Sequence, residues 1–554
     1  MRPHDIKKIV NTIKYLRSRQ ILYQLYYRYL KRFRIVKFNS NLALRPWSQK
    51  WNAPVLSTPT ISSTGEIDFL GELAPIDCSI IWNDTNRSKL WLYNLHYFDY
   101  FNSYGADSHT LLLNSLLDKW IDENLPGEGT GWEPYPLSLR IVNLIKWFSK
   151  QPDRIKPDWL VSLADQAEAL LQQIEYHILA NHLFVNAKAL VFAGIFFQGS
   201  RADVFLKKGL NILDREINEQ FLEDGGHFEL SPMYHASLLW DLCDLVNLAE
   251  RTGLPELQCR QSAWRQLIVK SMNWLNLMVH PDGDISFFND AAFNIAPTFD
   301  KLADYTQQLK MDIQKKHKNP EGISLHCLKE SGYCVVQIDH SSKAILDVAK
   351  IGPDYQPGHA HADILSFELS LFGQRFLVNS GTSTYAMGKQ RQYERSTKAH
   401  NTVNIDGENS SEIWGGFRVA RRAYPEDFIV SQSTERVSVG CSHNGYLRLA
   451  GRNIHRREWI FSRQAMIIND NVRGKYNQAE SRLFFHPEIN VAIVELGLIQ
   501  CHLPDGQSVL IKITGSEQIL LEPSTWHPCF GSSRDNICLI VKFEGSGIMM
   551  RMEW

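Results

Sequence analysis

No run of eighteen or more apolar residues occurs anywhere in this sequence, so it predicts no membrane-spanning helix. No Cys-x-x-Cys pair is present among its nine cysteines (Cys78, Cys243, Cys259, Cys327, Cys334, Cys441, Cys501, Cys529 and Cys538), which argues against a zinc ribbon or a thioredoxin-type centre. Several of them sit in apolar runs, as Cys334 and Cys538 do, and read as small buried hydrophobes; no disulfide is implied. Net charge is also scarce. A formal value of -1 gives no global drive toward nucleic acid or anionic membrane. The N-terminus lacks an uninterrupted apolar core and a small-residue cleavage site, so no cleavable signal peptide is predicted. The expected location is cytoplasmic or membrane-peripheral, with the periplasm as the alternative. No repeat of fixed period is visible.

What is present is an ordinary globular composition, 44% hydrophobic and 21% charged, with 15 Trp and 20 Tyr whose faces suit cores and sugar rings alike. A chain of 554 residues exceeds what one core sustains. Residues 1–37 carry eleven Lys or Arg against one acid, interleaved with Ile, Leu and Tyr. They predict a basic helical arm packed on the protein's own body, the alternative being peripheral contact with an anionic membrane. An irregular connector follows, to about residue 90. From 91 to 315 apolar residues recur at helical spacing, as in Leu137, Ile141, Leu144, Ile145 and Phe148. Six or more helices without alternating strands predict an all-α unit of stacked antiparallel pairs. The polar stretch Lys315–Gly322 reads as a linker. From 323 to 554 short β-type runs separated by Gly, Asn and Asp turns predict an antiparallel β-sandwich. Clefts between domains are favoured ligand sites.

Several polar clusters interrupt these patterns. Gly358-His359-Ala360-His361-Ala362-Asp363 opens a strand-like run, and in a strand both imidazoles would share one face. Imidazoles suit metal ligation and proton transfer near neutral pH. His400, in Ala399-His400-Asn401-Thr402, could supply a third, and Arg395 lies in the same polar cluster. In the helical half, Asn181-His182 opens an apolar helix, with helix capping the bland role for Asn181. Tyr234 and His235 follow Ser231-Pro232 at another helix start. Trp132, Glu133, Tyr135 and Arg140 combine aromatics and charge at a third, as a sugar-binding lip would. Phe287-Phe288-Asn289-Asp290 forms one further turn.

As an ordered set over roughly residues 90–460, Asn181-His182, Ser231-Pro232-x-Tyr234-His235, the His359/His361 segment, Asn379-Ser380-Gly381-Thr382 and Ala399-His400-Asn401-Thr402 resemble the heparinase II/III family of polysaccharide lyases, which is similar in turn to certain alginate lyases. The resemblance implies an N-terminal (α/α) toroid, a C-terminal antiparallel β-sandwich, and β-elimination at a 4-linked uronic acid. It implies that Asn181 and His182 neutralise the substrate carboxylate, that Tyr234 acts as base, acid or both, and that His359 assists proton abstraction. Trp132, Glu133, Tyr135, Arg140, His235 and Arg395 are then expected at the substrate. His361 and His400 match ligands of a structural zinc, but Asn379 stands where an Asp is usual, with Asp363 as a substitute. The expected partner is a uronic polysaccharide, linked to exopolysaccharide or capsule synthesis, and no nucleic acid. Two alternatives stay open: a glycoside hydrolase using two of Glu229, Asp290 and Glu133, and a non-catalytic glycan-binding or assembly protein.

Overall fold

The structure is a computed structural model that describes residues 3–30, 43–47, 49–55, 61–62, 65–75, 81–313, 322–545 and 547–554. Cys78 and most of the Lys315–Gly322 link lie outside them. The eight described cysteines are free, and no helix among the described residues is long and apolar enough to cross a membrane.

The first half is helical. Its principal helices are Thr110–Glu123, Pro134–Lys150, Pro157–Gln172, Ala180–Phe196, Ser200–Gln220, Pro232–Thr252 and Pro255–Met278. Four of them begin on proline, whose missing N–H costs nothing in a first turn. Ala180–Phe196 is apolar nearly all round and is buried at every position except His182, the pattern of a helix enclosed by its neighbours. Its close approach to Ser200–Gln220 depends on small residues. A Cβ at Gly209 would lie 2.7 Å from the Ala187 carbonyl oxygen, and one at Gly194 would lie 2.4 Å from the Leu206 nitrogen.

The second half is antiparallel β throughout. An eight-stranded sheet runs in the order Pro425–Gln432, Val437–His443, Ile454–Ser462, Ala465–Arg473, Gly547–Glu553, Ser508–Thr514, Leu498–His502 and Asn490–Glu495. Facing it are a five-stranded sheet (Ser324–Leu328, Tyr333–Gln337, Lys343–Asp347, Phe367–Leu371, Gln374–Leu377) and a four-stranded sheet (Val403–Ile405, Ala479–Phe484, Arg534–Phe543, Gln518–Trp526 by residue range). A bridge between Leu377 and Phe485 joins these two. Inward residues such as Trp459, Phe461, Met466, Leu369 and Leu539 form one core between the layers, the sandwich that alternating burial predicts. Helices first and strands second is the expected order.

Details differ from expectation. Strand Phe367–Leu371 begins later than the His359/His361 segment, which is an irregular loop closed by Leu365 at φ +61°. Asn181 is inside the first turn of its helix, not its cap; Leu179 holds that position. The connector before residue 90 contains a hairpin, Glu66–Phe69 with Glu72–Pro75.

The N-terminal arm straps both halves together. Thr12 donates to the Val419 carbonyl and accepts from Trp414 Nε1. The Arg17 guanidinium lies 3.7 Å over the Tyr355 ring and pairs with Glu219. Gln20 donates to the Tyr355 carbonyl, and Tyr27 to that of Ile174. Elsewhere the seam is polar: Lys343 Nζ reaches the Val279 carbonyl at 2.7 Å, and the buried Arg375 Nε reaches Asp282 at 2.6 Å.

Candidate active site

Three segments of the helical half and two of the sandwich half converge at this seam. From the helical half come the start of helix Ala180–Phe196, the turn before helix Pro232–Thr252, and the turn carrying Asp290. Each is shaped by a non-glycine residue in the left-handed region: Leu179 and Ala180 (φ +69° and +51°), Leu230 (+58°) and Asn289 (+57°). Such backbone costs on the order of 1–2 kcal/mol per residue and persists only where surroundings impose it. Here they do so by hydrogen bonds across the seam. Asn289 Nδ2 donates to the Leu230 carbonyl, its Oδ1 accepts from His361 N, and Tyr333 Oη donates to the same Leu230 carbonyl.

Asp290 is the hub. It is fully buried, and its two oxygens meet Arg391 in a bidentate pair, with Nη2 to Oδ2 at 2.7 Å. His359 Nδ1 contacts Oδ2 at 2.9 Å and His361 Nε2 contacts Oδ1 at 2.9 Å. The two histidines therefore do converge, but on one carboxylate and through a loop, not through strand alternation. Burial pushes the Asp290 carboxyl up, but Arg391 and the two imidazoles outweigh it and hold the group well below the usual carboxylate range. With Asp290 accepting from Nδ1–H, the ring is fixed with Nε2 turned away from Asp290 and toward Glu229, the kind of orientation a carboxylate gives to an imidazole that works in proton transfer. The His359 side chain is 12% exposed, whereas Asp290 and His361 are sealed.

Around His359 the remaining groups close in. The Tyr234 ring stacks on it with centroids 3.9 Å apart, and Tyr234 Oη lies 3.0 Å from Tyr385 Oη. Burial pushes the Tyr234 phenol well above its ordinary value, so it keeps its proton at neutral pH. On the other side, His359 Nε2 is 3.7 Å from Glu229 Oε2. Asn181 Nδ2 donates to both Glu229 oxygens, at 3.0 and 3.2 Å. The His182 ring lies against Tyr135, tilted by 42° with centroids 4.4 Å apart, and holds Glu175 Oε1 at 3.0 Å. Burial opposes charging of His182, but Glu175 outweighs it and raises the imidazole above its ordinary value. Asn181, His182, Tyr234 and His359 are thus brought into one cluster, with Tyr135 at its edge. Glu133 is partly exposed nearby, accepting from Tyr93 and pairing with Lys89 at 2.9 Å.

Four residues expected at the substrate are not there. Trp132 is core, packed 5.8 Å from Trp120, with Nε1 donating to the Asn124 carbonyl. Arg140 is wholly buried and donates to Gln166 and to the carbonyls of His96 and Gly131, and burial lowers it to about 9. His235 is buried between His227 N and the Ser271 carbonyl, and burial lowers it to about 3. Arg395 is likewise buried and donates to the carbonyls of Ala360, Gly415 and Arg418, bracing the histidine loop from behind. Conversely, Arg391, Tyr385 and Glu175 carried no motif signal, and Glu229 and Asp290 stood out only as hydrolase carboxylates.

The metal expectation can be tested on donors. His361, Asp363 and His400 each offer a ligand atom, all within 4.8 Å of one another and all buried. His400 Nδ1 has no hydrogen-bond partner, and two imidazoles with one carboxylate are a set zinc accepts. Asn379 is engaged otherwise: its amide donates to the Phe287 carbonyl and Ser366 Oγ and accepts from Asn401 N.

Comparison with known proteins places the family. Residues 84–313 match the family model described as heparinase II/III N-terminus, and residues 322–553 match heparinase II/III-like, C-terminal. A heparin-sulfate lyase of Bacteroides stercoris is 30% identical over 250 residues, covering 42% of this chain and 37% of the relative. One of Pedobacter heparinus is 26% identical over 347 residues, covering 59% and 49%. The chain therefore spans less than half the length of these curated relatives. Among solved structures, a heparinase III superposes with TM-score 0.69 at 18% identity, over 86% of this chain and 79% of that one. A heparan sulfate lyase from Pedobacter heparinus superposes with TM-score 0.60 at 15% identity, over 96% and 88%. The fold, an α-toroid followed by a β-sandwich, is shared with them, and with both family models matched in order, the chain belongs to the heparinase II/III family.

Proposed function

We propose that this protein is a polysaccharide lyase that cleaves a uronic acid-containing polymer by β-elimination. The observation that carries the proposal is the stacking of Tyr234 on His359, a protonated phenol beside an imidazole whose Nε2 faces the site. Elimination needs three things: relief of charge on the uronate carboxylate, removal of the C5 proton, and a proton for the departing oxygen. His182, whose charge Glu175 favours, and Asn181 supply the first. His359 Nε2 takes the C5 proton, with Asp290 holding its tautomer. The electron pair released forms the C4–C5 double bond as the C4–O bond breaks, and Tyr234 Oη gives its proton to the leaving oxygen. The His359 imidazolium then releases its proton to water and the Tyr234 phenolate takes one up by way of Tyr385, restoring both groups.

A structural zinc would be held by His361, His400 and Asp363, where it would fix the loop that carries His359. Arg140, Arg391 and Arg395 are buried and engaged by carbonyls or by Asp290. None offers a charge to a sulfate group, which favours a weakly sulfated uronic polymer, as in exopolysaccharide or capsule, over the substrate named for the heparin-sulfate lyases.

The hydrolase alternative places substrate between two carboxylates. Glu229 and Asp290 do face each other here, but the His359 ring fills the space between them, and Asp290 is locked by Arg391. The test is ultraviolet absorbance of unsaturated uronate across a panel of uronic polysaccharides. Product from the wild type and none from His359→Ala is expected; silence across the panel from folded protein would refute the proposal.

A further inference from the structure

The N-terminal arm leaves an apolar face uncovered. A helix lying on its own protein turns its aliphatic stripe inward. Here the body-facing contacts are made by polar and aromatic residues: Thr12, Tyr15 beneath Arg422, Arg17, Gln20, Tyr23 against Tyr176, and Tyr27. Ile9 and Leu16 are half-buried, but the other aliphatics point away. Ile6, Val10 and Ile13, at positions i, i+4 and i+7 of helix Pro3–Ile13, and Leu22 and Leu25 of helix Ser18–Leu25 are 49% to 64% exposed. Among the described residues, eight of the 28 exposed large hydrophobics fall between Ile6 and Leu30. That density is several times the chain average, so scattered surface apolars do not explain it. Exposed Lys7, Lys14 and Arg28 lie among them, and residues 1–37 hold eleven basic residues against one acid.

We infer that this outward face rests on an anionic membrane surface, its aliphatics entering the headgroup boundary and its lysines and arginines meeting lipid phosphates. Charge selects this occupant over a second copy of the chain, because pairing two such faces would bring two strongly basic surfaces together. The arm is fixed to both halves of the body by Thr12, Arg17 and Gln20, so the membrane would hold the whole enzyme by one side. The inference stands apart from the proposed lyase chemistry.

The full chain should sediment with vesicles of phosphatidylcholine mixed with phosphatidylglycerol about tenfold more strongly than with phosphatidylcholine alone, and high salt should remove most of the difference. The double variant Val10→Asp, Ile13→Asp should lose about tenfold in vesicle binding while keeping wild-type thermal melting and turnover of soluble polymer. Wild type that ignores anionic vesicles would overturn the inference, as would a double variant that binds them equally well. So would a wild-type dimer that the double variant dissolves without any vesicle binding.

Discussion

Two buried aspartates in this molecule have nearly the same partners. Asp290, at the seam, is clamped by Arg391 and touched by His359 and His361. Asp470, inside the sandwich, is clamped by Arg457 (2.7 and 2.8 Å) and touched by His455 at 2.8 Å, which in turn meets His443 at 3.3 Å. In both, burial raises the carboxyl and the arginine and imidazole partners more than reverse it. The difference is one of access. All of the Asp470 cluster is sealed, and its second imidazole nitrogens look onto other protein groups. His359 is partly exposed at the seam, with Tyr234 on its face and Nε2 turned to Glu229. Residue types alone do not separate the two clusters; exposure of one histidine does.

The widest separation is expected from alanine at the two histidines. His359→Ala should lower kcat by about 10³-fold, within the range for losing a general base, with melting little changed. His455→Ala should leave kcat intact and lower the melting temperature, because it opens a cavity and removes a hydrogen bond to the buried Asp470 carboxylate. Steady-state kinetics beside thermal melts on both variants would show whether the effects cross over. Next come the aspartates. Asp290→Asn should cost about 10²-fold or more in kcat by releasing the His359 tautomer, as well as about 3 kcal/mol of stability from unpairing Arg391. Asp470→Asn should show only the second effect, read by denaturant unfolding. Tyr234→Phe should reduce turnover about 10²-fold without raising KM comparably, since its proton is needed only as the oxygen leaves.

The smallest effect is on pH. Burial holds His96 and His235 at about 3 and keeps His443 and His455 depressed. Their contribution is complete above the unfolded value of about 6.5 and is lost as pH falls, because the unfolded chain takes up the proton first. His182 has the opposite sign. Raised by Glu175, it stabilises fully below about 6.5, and that contribution fades as pH rises through its folded value. A melting temperature that declines from pH 7 to 5, and declines more steeply in His182→Gln, is the expected pattern.

Much of this was legible in the sequence, and the remainder was hidden for physical reasons. Helical spacing gave way to short strands near residue 315, which set the two halves. Asn181, His182, Tyr234 and His359 stood out because polar groups interrupt apolar patterns there. The same criterion failed for Trp132, Arg140, His235 and Arg395. An aromatic or a cation beside a turn looks alike whether it faces sugar or braces a backbone, and only burial distinguishes them. Arg391 stayed invisible because its partner Asp290 lies 101 residues away. Tyr385 stayed invisible because its contact with Tyr234 exists only across the seam.

The central claim is elimination at the open histidine, and the oxygen balance of the product tests it most directly. Digestion of a cleaved uronic polymer in heavy-oxygen water, followed by mass spectrometry, should give fragments one water lighter than hydrolysis products and free of label. Saturated fragments carrying heavy oxygen at the new reducing end would contradict it.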